Sequence, residues 1–189
     1  MNGEKGPGVA DWLRSQVDRF KAKPELAAPP LRRRVAVVTD SAAALPAAWA
    51  AEHLASGLLT IVPMPVIIGE QVFADDDAEL ETHIALGLAA GTAVRTSRPA
   101  PSQFERAYQN ALDAGFDSVV SIHISAKLSG TLDSAQMAAD LAGLPVLVLD
   151  SCTVGMGQGA GVQAAIAASV AGGAIDQVIA AAQEAAESS

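Results

Sequence analysis

The sequence predicts an α/β fold with a mainly parallel sheet flanked by helices. Three observations point there. Short apolar, β-branched runs recur as VAVVTD (Val35–Asp40), SVVSIHIS (Ser118–Ser125) and LPVLVLD (Leu144–Asp150). Each is apolar on both faces, as a parallel strand buried between two helix layers must be. Each run also precedes an Ala-rich stretch of helical length, and strands that alternate with helices mark a parallel α/β architecture. Aromatic residues make up only 4% of a chain that is 50% hydrophobic, so the core is built from Ala, Val, Leu and Ile. That composition suits small-residue helices packed closely on branched strands.

Residues 1–34 are set apart as a Pro- and Arg-containing leader, expected to be flexible. Asp11 to Lys23 predicts a short helix capped by Asp11, with Trp12, Leu13, Val17 and Phe20 on one side. Pro24, Pro29 and Pro30 then break the chain, and Arg32–Arg34 form a short basic run, either solvated or docked on an acidic partner. Residues 35–189 are the expected α/β domain. Its first strand, from Val35, runs into a helix between Ser41 and Ala55, with Pro46 in the opening turns. Leu58–Ile68 is extended, and Pro63 and Pro65 confine it to the periphery of a sheet. Gly69-Glu70 turns the chain and Gln71–Phe73 returns as a short strand. Asp75–Asp77 are helix-start charges for a helix from Ala78 to Ala90, ended by Gly91. Thr96–Gln103 reads as a loop before a helix Phe104–Ala114, which Gly115 stops. The Ser118–Ser125 strand leads through Leu128–Ala135 into a helix reaching about Leu141. The Leu144–Asp150 strand leads through a glycine-rich stretch into a long Ala-rich helix ending near Ala171. A last helix covers Ile175–Glu187. Val35–Thr39, Ser118–Ile124 and Val146–Leu149 are expected near the centre of the sheet.

Composition excludes several classes of function. A chain of 189 residues buries roughly 70% of its unfolded surface, enough for a true core. With 12 Lys and Arg against 21 Asp and Glu, the net charge is −9, which repels nucleic acid and anionic membranes. The single cysteine, Cys152, excludes an internal disulfide framework and a cysteine-cluster zinc site. Reduced thiols fit a cytoplasmic location. No run of about 18 apolar residues spans a membrane, and the MNGEKGPG start lacks a signal-peptide core.

Chemistry is concentrated after the strands. Thr39-Asp40-Ser41, Ser125 through Thr131, and Asp150-Ser151 all follow strand carboxyl ends, where open α/β sheets bind ligands. The same residue types also cap helices. Ser129-Gly130-Thr131 is the most pointed segment. Gly130 admits close approach, the next helix offers unpaired N–H groups, and two hydroxyls flank the turn. There is no P-loop string, so a carboxylate suits this cradle better than a polyphosphate. Thr96-Ser97 adds two hydroxyls in a segment stiffened by Pro99. No G-x-S-x-G elbow or H-E-x-x-H motif is present. His123, on a strand, reads as structural. Gly155–Ala160 matches G-x-G-x-x-[GA], but its position favours close helix packing over dinucleotide binding.

VAVVTDSAAALP (Val35–Pro46), IVPMPVIIGEQVFAD (Ile61–Asp75), TSRP (Thr96–Pro99), SAKLSGT (Ser125–Thr131), Ser134-Ala135 and VLVLDS (Val146–Ser151) resemble, in order and spacing, the DegV family. The resemblance implies a two-domain bacterial fatty-acid-binding protein and no enzyme. Such a protein presents its bound acid to a separate fatty-acid kinase, which makes the acyl phosphate for phospholipid synthesis. The ligand is the long-chain fatty acid itself, with no metal or other cofactor and no nucleic acid. The implied carboxylate site is Thr96 and Ser129, with Ser97 and Gly130 beside them. Two departures stand out. Arg98 occupies the place of the family's usual glutamine in the TSxP string. Family members also continue past the length of this chain into a second domain, which caps the acyl chain and adds basic residues near the carboxylate. Residues 35–189 are accordingly expected to be a first domain truncated at its C-terminus. Two other readings compete: a non-binding or regulatory remnant, and a small serine hydrolase using Ser129 or Ser125 with Asp150 or His123.

Overall fold

The computed structural model describes residues 34–73 and 79–189. The expected leader helix and the Asp75–Asp77 charges lie outside these residues. The described chain runs β1 (Val35–Asp40), α1 (Ala47–Ala55), β2 (Leu59–Val62), β3 (Val66–Ile68), β4 (Gln71–Phe73), α2 (Leu80–Ala89), β5 (Val94–Thr96), α3 (Pro101–Asp113), β6 (Ser118–His123), α4 (Thr131–Ala139), β7 (Val146–Asp150), α5 (Met156–Val170) and α6 (Ile175–Glu187). β2, β1, β6 and β7 form a four-stranded parallel sheet in that order. β4, β3 and β5 form a separate three-stranded antiparallel sheet.

The period-2 alternation of β1 divides the core into two layers. Val35 and Val37 pack with Leu59, Val120 and Ile122 against Val162, Ala165 and Ile166 of α5 and Val178 of α6. Ala36 and Val38 pack with Val119 against Phe104, Ala107 and Tyr108 of α3 and Ala135 and Ala138 of α4. Both central strands are buried along their whole length. This is the two-sided burial that their unbroken apolar runs require.

The glycine-rich stretch is a packing device, as its position suggested. Gly155 turns the chain at φ +66°, a backbone conformation that disfavours other residues. A Cβ on Gly159 would sit 2.9 Å from the Ala44 carbonyl oxygen, and one on Gly161 would sit 3.0 Å from that of Ala182. α5 therefore presses directly on the chain after β1 and on α6.

Three expectations are corrected. Val146–Leu149 is not central: among the described residues β7 pairs only with β6, and Leu147 is 43% exposed. An apolar run reads alike whether one flank or both are paired, so its place in the order was not encoded locally. The Leu58–Ile68 stretch is peripheral only in part: Pro63 and Pro65 split it into β2, an edge of the parallel sheet, and β3, the central strand of the antiparallel one. Thr96, expected to open a loop, instead ends a strand, Val94–Thr96, paired with β3 so that Thr96 stands opposite Val66. Helix starts also moved. α1 begins at Ala47 because the Asp40 carboxylate accepts the Ala42 N–H at 3.0 Å, folding the next residues into a turn. α3 begins at Pro101, suited to a first helical position, and Gln103 Oε1 accepts the Ala100 N–H at 3.0 Å.

Candidate functional site

The chain passes the neighbour of β1 on one side early and returns to its other side with β6. This makes β1/β6 the point where the strand order reverses, and ligands bind beyond the carboxyl ends of the strands at such points. The candidate segments assemble there through a traceable series of contacts. At the end of β1, Ser41 Oγ accepts the Met64 N–H at 3.0 Å, holding the chain that leaves β2. The Ser97 N–H donates to the Pro65 carbonyl at 2.8 Å, bringing in the end of β5. At the end of β6, the Ser125 carbonyl accepts the N–H groups of Leu128 and Ser129 at 2.8 and 3.2 Å, folding the chain back into α4. The two arms meet at Gly130, where an added Cβ would lie 3.1 Å from both Cδ and Nη1 of Arg98. The Arg98 side chain therefore lies over the glycine that opens α4.

Each expected site residue has a defined place. Thr96 is exposed at the end of β5, and among the described residues its hydroxyl makes no hydrogen bond. Ser97 is half-buried, its hydroxyl donating a long 3.5 Å bond to the Arg98 carbonyl. Ser129 is half-buried; its Oγ accepts the Thr131 N–H at 3.3 Å and lies 2.8 Å from Thr131 Oγ1. The Ser129 hydroxyl thus already steadies the turn. Gly130 stands at the N-cap of α4 with no side chain to satisfy the first-turn N–H groups. Gly130 and Ser97–Arg98 are brought into one neighbourhood; Ser129 adjoins it through Gly130, and Thr96 through Ser97.

The other strand-end residues turn inward. Asp40 and His123 are fully buried, with Asp40 Oδ2 2.9 Å from His123 Nδ1. His123 Nε2 is 2.7 Å from Ser121 Oγ, which is 2.9 Å from the Tyr108 hydroxyl. The Ile124 N–H donates to Asp40 Oδ2 at 3.0 Å, and Gln158 Nε2 donates to Asp40 Oδ1 at 3.1 Å. Thr39 donates to the Ile122 carbonyl at 2.7 Å. Burial alone would raise the Asp40 carboxyl, but the hydrogen bond and charge of His123, with hydrogen bonds from Gln158 and Ile124, outweigh it and hold the carboxyl below its ordinary range. Burial pushes the Tyr108 hydroxyl up to about 12, against the opposing bond to Ser121.

Asp40, His123 and Ser121 resemble a nucleophile–base–orienter series, but all three are 0% exposed, so no substrate carbonyl reaches Ser121. Both ring nitrogens of His123 are engaged within this network and neither serves Ser125 or Ser129. Asp150 accepts the Cys152 N–H at 2.8 Å and holds a turn. These contacts leave the expected hydrolase pairings unassembled. Sequence reasoning missed this buried relay. The signal was present: Ser121 and His123 stand two apart in an apolar strand, so they share one face. Among the described residues, no cluster of His, Cys, Asp and Glu is arranged to hold a metal, and no helix is long and apolar enough to cross a membrane.

The family described as "Uncharacterised protein, DegV family" matches residues 34–189. A DegV domain-containing protein of Streptomyces coelicolor is 38% identical over 155 residues, covering 82% of this chain and 53% of that protein. Another, from Deinococcus radiodurans, is 38% identical over 146 residues, covering 77% of this chain and 50% of that protein. A solved structure of a DegV family protein from Thermus thermophilus, described by its fatty acid binding, superposes with a TM-score of 0.72 at 32% identity, over 82% of this chain and 54% of that one. A stearic acid-binding protein from Eubacterium ventriosum shares the fold, with a TM-score of 0.64 at 24% identity, over 76% of this chain and 50% of that one. The chain spans about half the length of the relatives it matches.

Proposed function

Because the chain belongs to the DegV family, we propose that it binds a long-chain fatty acid by its carboxylate, at the segments Thr96-Ser97 and Ser129-Gly130. The observation that carries this reading is the approach of Arg98, the residue after Ser97, to Gly130 at the start of α4. These segments offer hydroxyl and N–H donors, and among the described residues no base is paired with their hydroxyls; donors are enough to hold an anion, whereas hydrolysis also needs an activated nucleophile. The Thermus thermophilus relative, at 32% identity, supports the ligand class. Leu128, one residue before Ser129, is an apolar side chain 63% exposed and suits contact with an acyl chain. Each acyl methylene taken out of water contributes about 0.8 kcal/mol, so the tail supplies affinity while the polar cradle supplies orientation.

In the same reading the protein is a cytoplasmic carrier, not an enzyme. It hands its acid to a separate fatty-acid kinase, whose acyl phosphate feeds phospholipid synthesis. Residues 35–189 act as the first DegV-type domain. Lipid extraction and mass spectrometry of the purified chain test the ligand; a co-purified long-chain acid is expected. The reading is defeated if no acid co-purifies and an added one does not bind measurably. A cognate kinase that phosphorylates fatty acid equally well with and without this chain would defeat the carrier role alone.

A further inference from the structure

We propose that Arg98 is the charged, headgroup-selecting residue of this site, forming an ion pair with the carboxylate that Ser129 and Thr96 hydrogen-bond. The inference rests on the fatty-acid-binding reading above and adds what discriminates an acid from an uncharged lipid. Its basis is the placement of Arg98. The guanidinium lies against Gly130, with Nη1 3.1 Å from where a Cβ would stand. That is the positive end of α4, and a cation there is disfavoured by the helix dipole. Among the described residues no carboxylate pairs with it: the ion pairs are His83 with Glu79 and His123 with Asp40. Among the described residues the Arg98 side chain donates no hydrogen bond either, and its carbonyl is engaged by Ser97.

Two positive features thus lie together, and among the described residues no carboxylate forms an ion pair with the guanidinium. An anion seated there offsets that repulsion with two attractions. Arginine's planar fork suits a carboxylate bidentately, an arrangement no glutamine can supply with charge. The absent Cβ at Gly130 is what lets the guanidinium come down onto the start of the helix; an alanine there would force it away by a few tenths of an ångström. Arg98 is exposed, so solvent screens the pair and the effect lies below that of a buried one.

The test measures the affinity of the full chain for dodecanoate and for the uncharged 1-dodecanol, at low and at high salt, in the parent, Arg98→Gln and Arg98→Lys. Arg106→Gln, exposed on α3, makes the same change of net charge elsewhere. Arg98→Gln is expected to weaken dodecanoate by about 5- to 30-fold, leave dodecanol unchanged, and abolish the salt dependence of acid binding. Arg98→Lys restores the salt dependence but only part of the affinity, because one point charge replaces a fork. Arg106→Gln leaves the acid-to-alcohol ratio where it was. If the parent binds dodecanoate and Arg98→Gln keeps both its affinity and its acid-to-alcohol ratio, Arg98 is a bystander and this inference falls alone. Equal loss of acid and alcohol in Arg98→Gln also overturns it, since that marks a packing role. If the parent binds neither lipid, the fatty-acid reading falls and takes the assignment of Arg98 with it.

Discussion

Replacing Asp40 by alanine is the most severe single change this structure predicts at the carboxyl ends of its strands. The carboxylate takes four hydrogen bonds: from Ala42 and Ile124 N–H at 3.0 Å each, from Gln158 at 3.1 Å, and with His123 at 2.9 Å. All of the side chain is out of water. Breaking a buried charged pair on one side costs about 3–5 kcal/mol, because the remaining partners keep their desolvation penalty. A domain has about 5–15 kcal/mol in all, so Asp40→Ala should bring the chain close to unfolding. Asp40→Asn keeps shape and one acceptor oxygen. Its amide meets donors on one side, though Gln158 can rotate to offer its Oε1, which is buried without a partner. The cost of Asn should then be about 1–3 kcal/mol, the penalty of one or two unmatched groups.

Acid titration gives a second reading of the same residue. The Asp40 carboxyl is held below its ordinary value of 3.8 in the folded chain. Its contribution is therefore complete above the unfolded value and is lost as pH falls through the lower, folded one. Urea unfolding at neutral pH and between pH 5 and the acid limit, on parent, Asn and Ala chains, measures both effects. The parent should lose stability below about pH 4, and Asp40→Asn should lose less over that range. An Asp40→Ala chain within about 1 kcal/mol of the parent would refute the network's structural role, as would an Asn variant with the parent's full acid dependence.

Other changes test the site and the core separately. Ser129→Ala and Thr96→Val should each weaken fatty-acid binding by roughly 10- to 150-fold, less where water replaces the hydroxyl, read by titration at fixed salt. Asp133→Asn, exposed in the first turn of α4, should change binding little and serves as control. Gly159→Val should cost about 1–3 kcal/mol or more in unfolding experiments, since a Cβ alone already stands 2.9 Å from the Ala44 carbonyl oxygen. Tyr108→Phe should cost about 1–3 kcal/mol by orphaning part of the Ser121–His123 relay, and leave lipid affinity unchanged.

Much of the fold was legible because burial on both faces writes itself into sequence. Val35–Asp40 and Ser118–His123 are uninterrupted apolar runs because both faces of each strand are covered, by α5 and α6 on one side and α3 and α4 on the other. Pro63 and Pro65 correctly placed β2 at an edge, since neither can donate to a ladder. The position of β7 was not legible, because strand order is a property of long-range pairing. Nor was β5: Val94–Thr96 is three residues long, and its pairing with β3 depends on a partner almost thirty residues earlier. At the site, the hydroxyls and Gly130 could be read from the motif strings. The approach of Arg98 to Gly130 could not, because it joins two loops that only the folded chain brings together.

The buried relay adjoins the turn that is proposed to hold the carboxylate. Asp40 ties the end of β1 to the end of β6 through His123 and the Ile124 N–H. The next residue, Ser125, carries the carbonyl from which the N–H groups of Leu128 and Ser129 hang. Any loosening at Asp40 is passed through two peptide units to the turn that presents Ser129 and Gly130. Under the proposed function Asp40 is then a positioning residue with a distinguishable signature. Under conditions where Asp40→Asn is still folded, its affinity for a fatty acid should fall with no change in the salt dependence, because Arg98 is intact while the turn is misplaced. The Arg98→Gln chain should show the converse: altered salt dependence with unchanged unfolding. Titration of dodecanoate at two salt concentrations, beside urea unfolding of the same samples, separates the two. If Asp40→Asn binds as the parent does while losing stability, the turn holds its own shape through Ser125 and Ser129, and the relay serves the core alone.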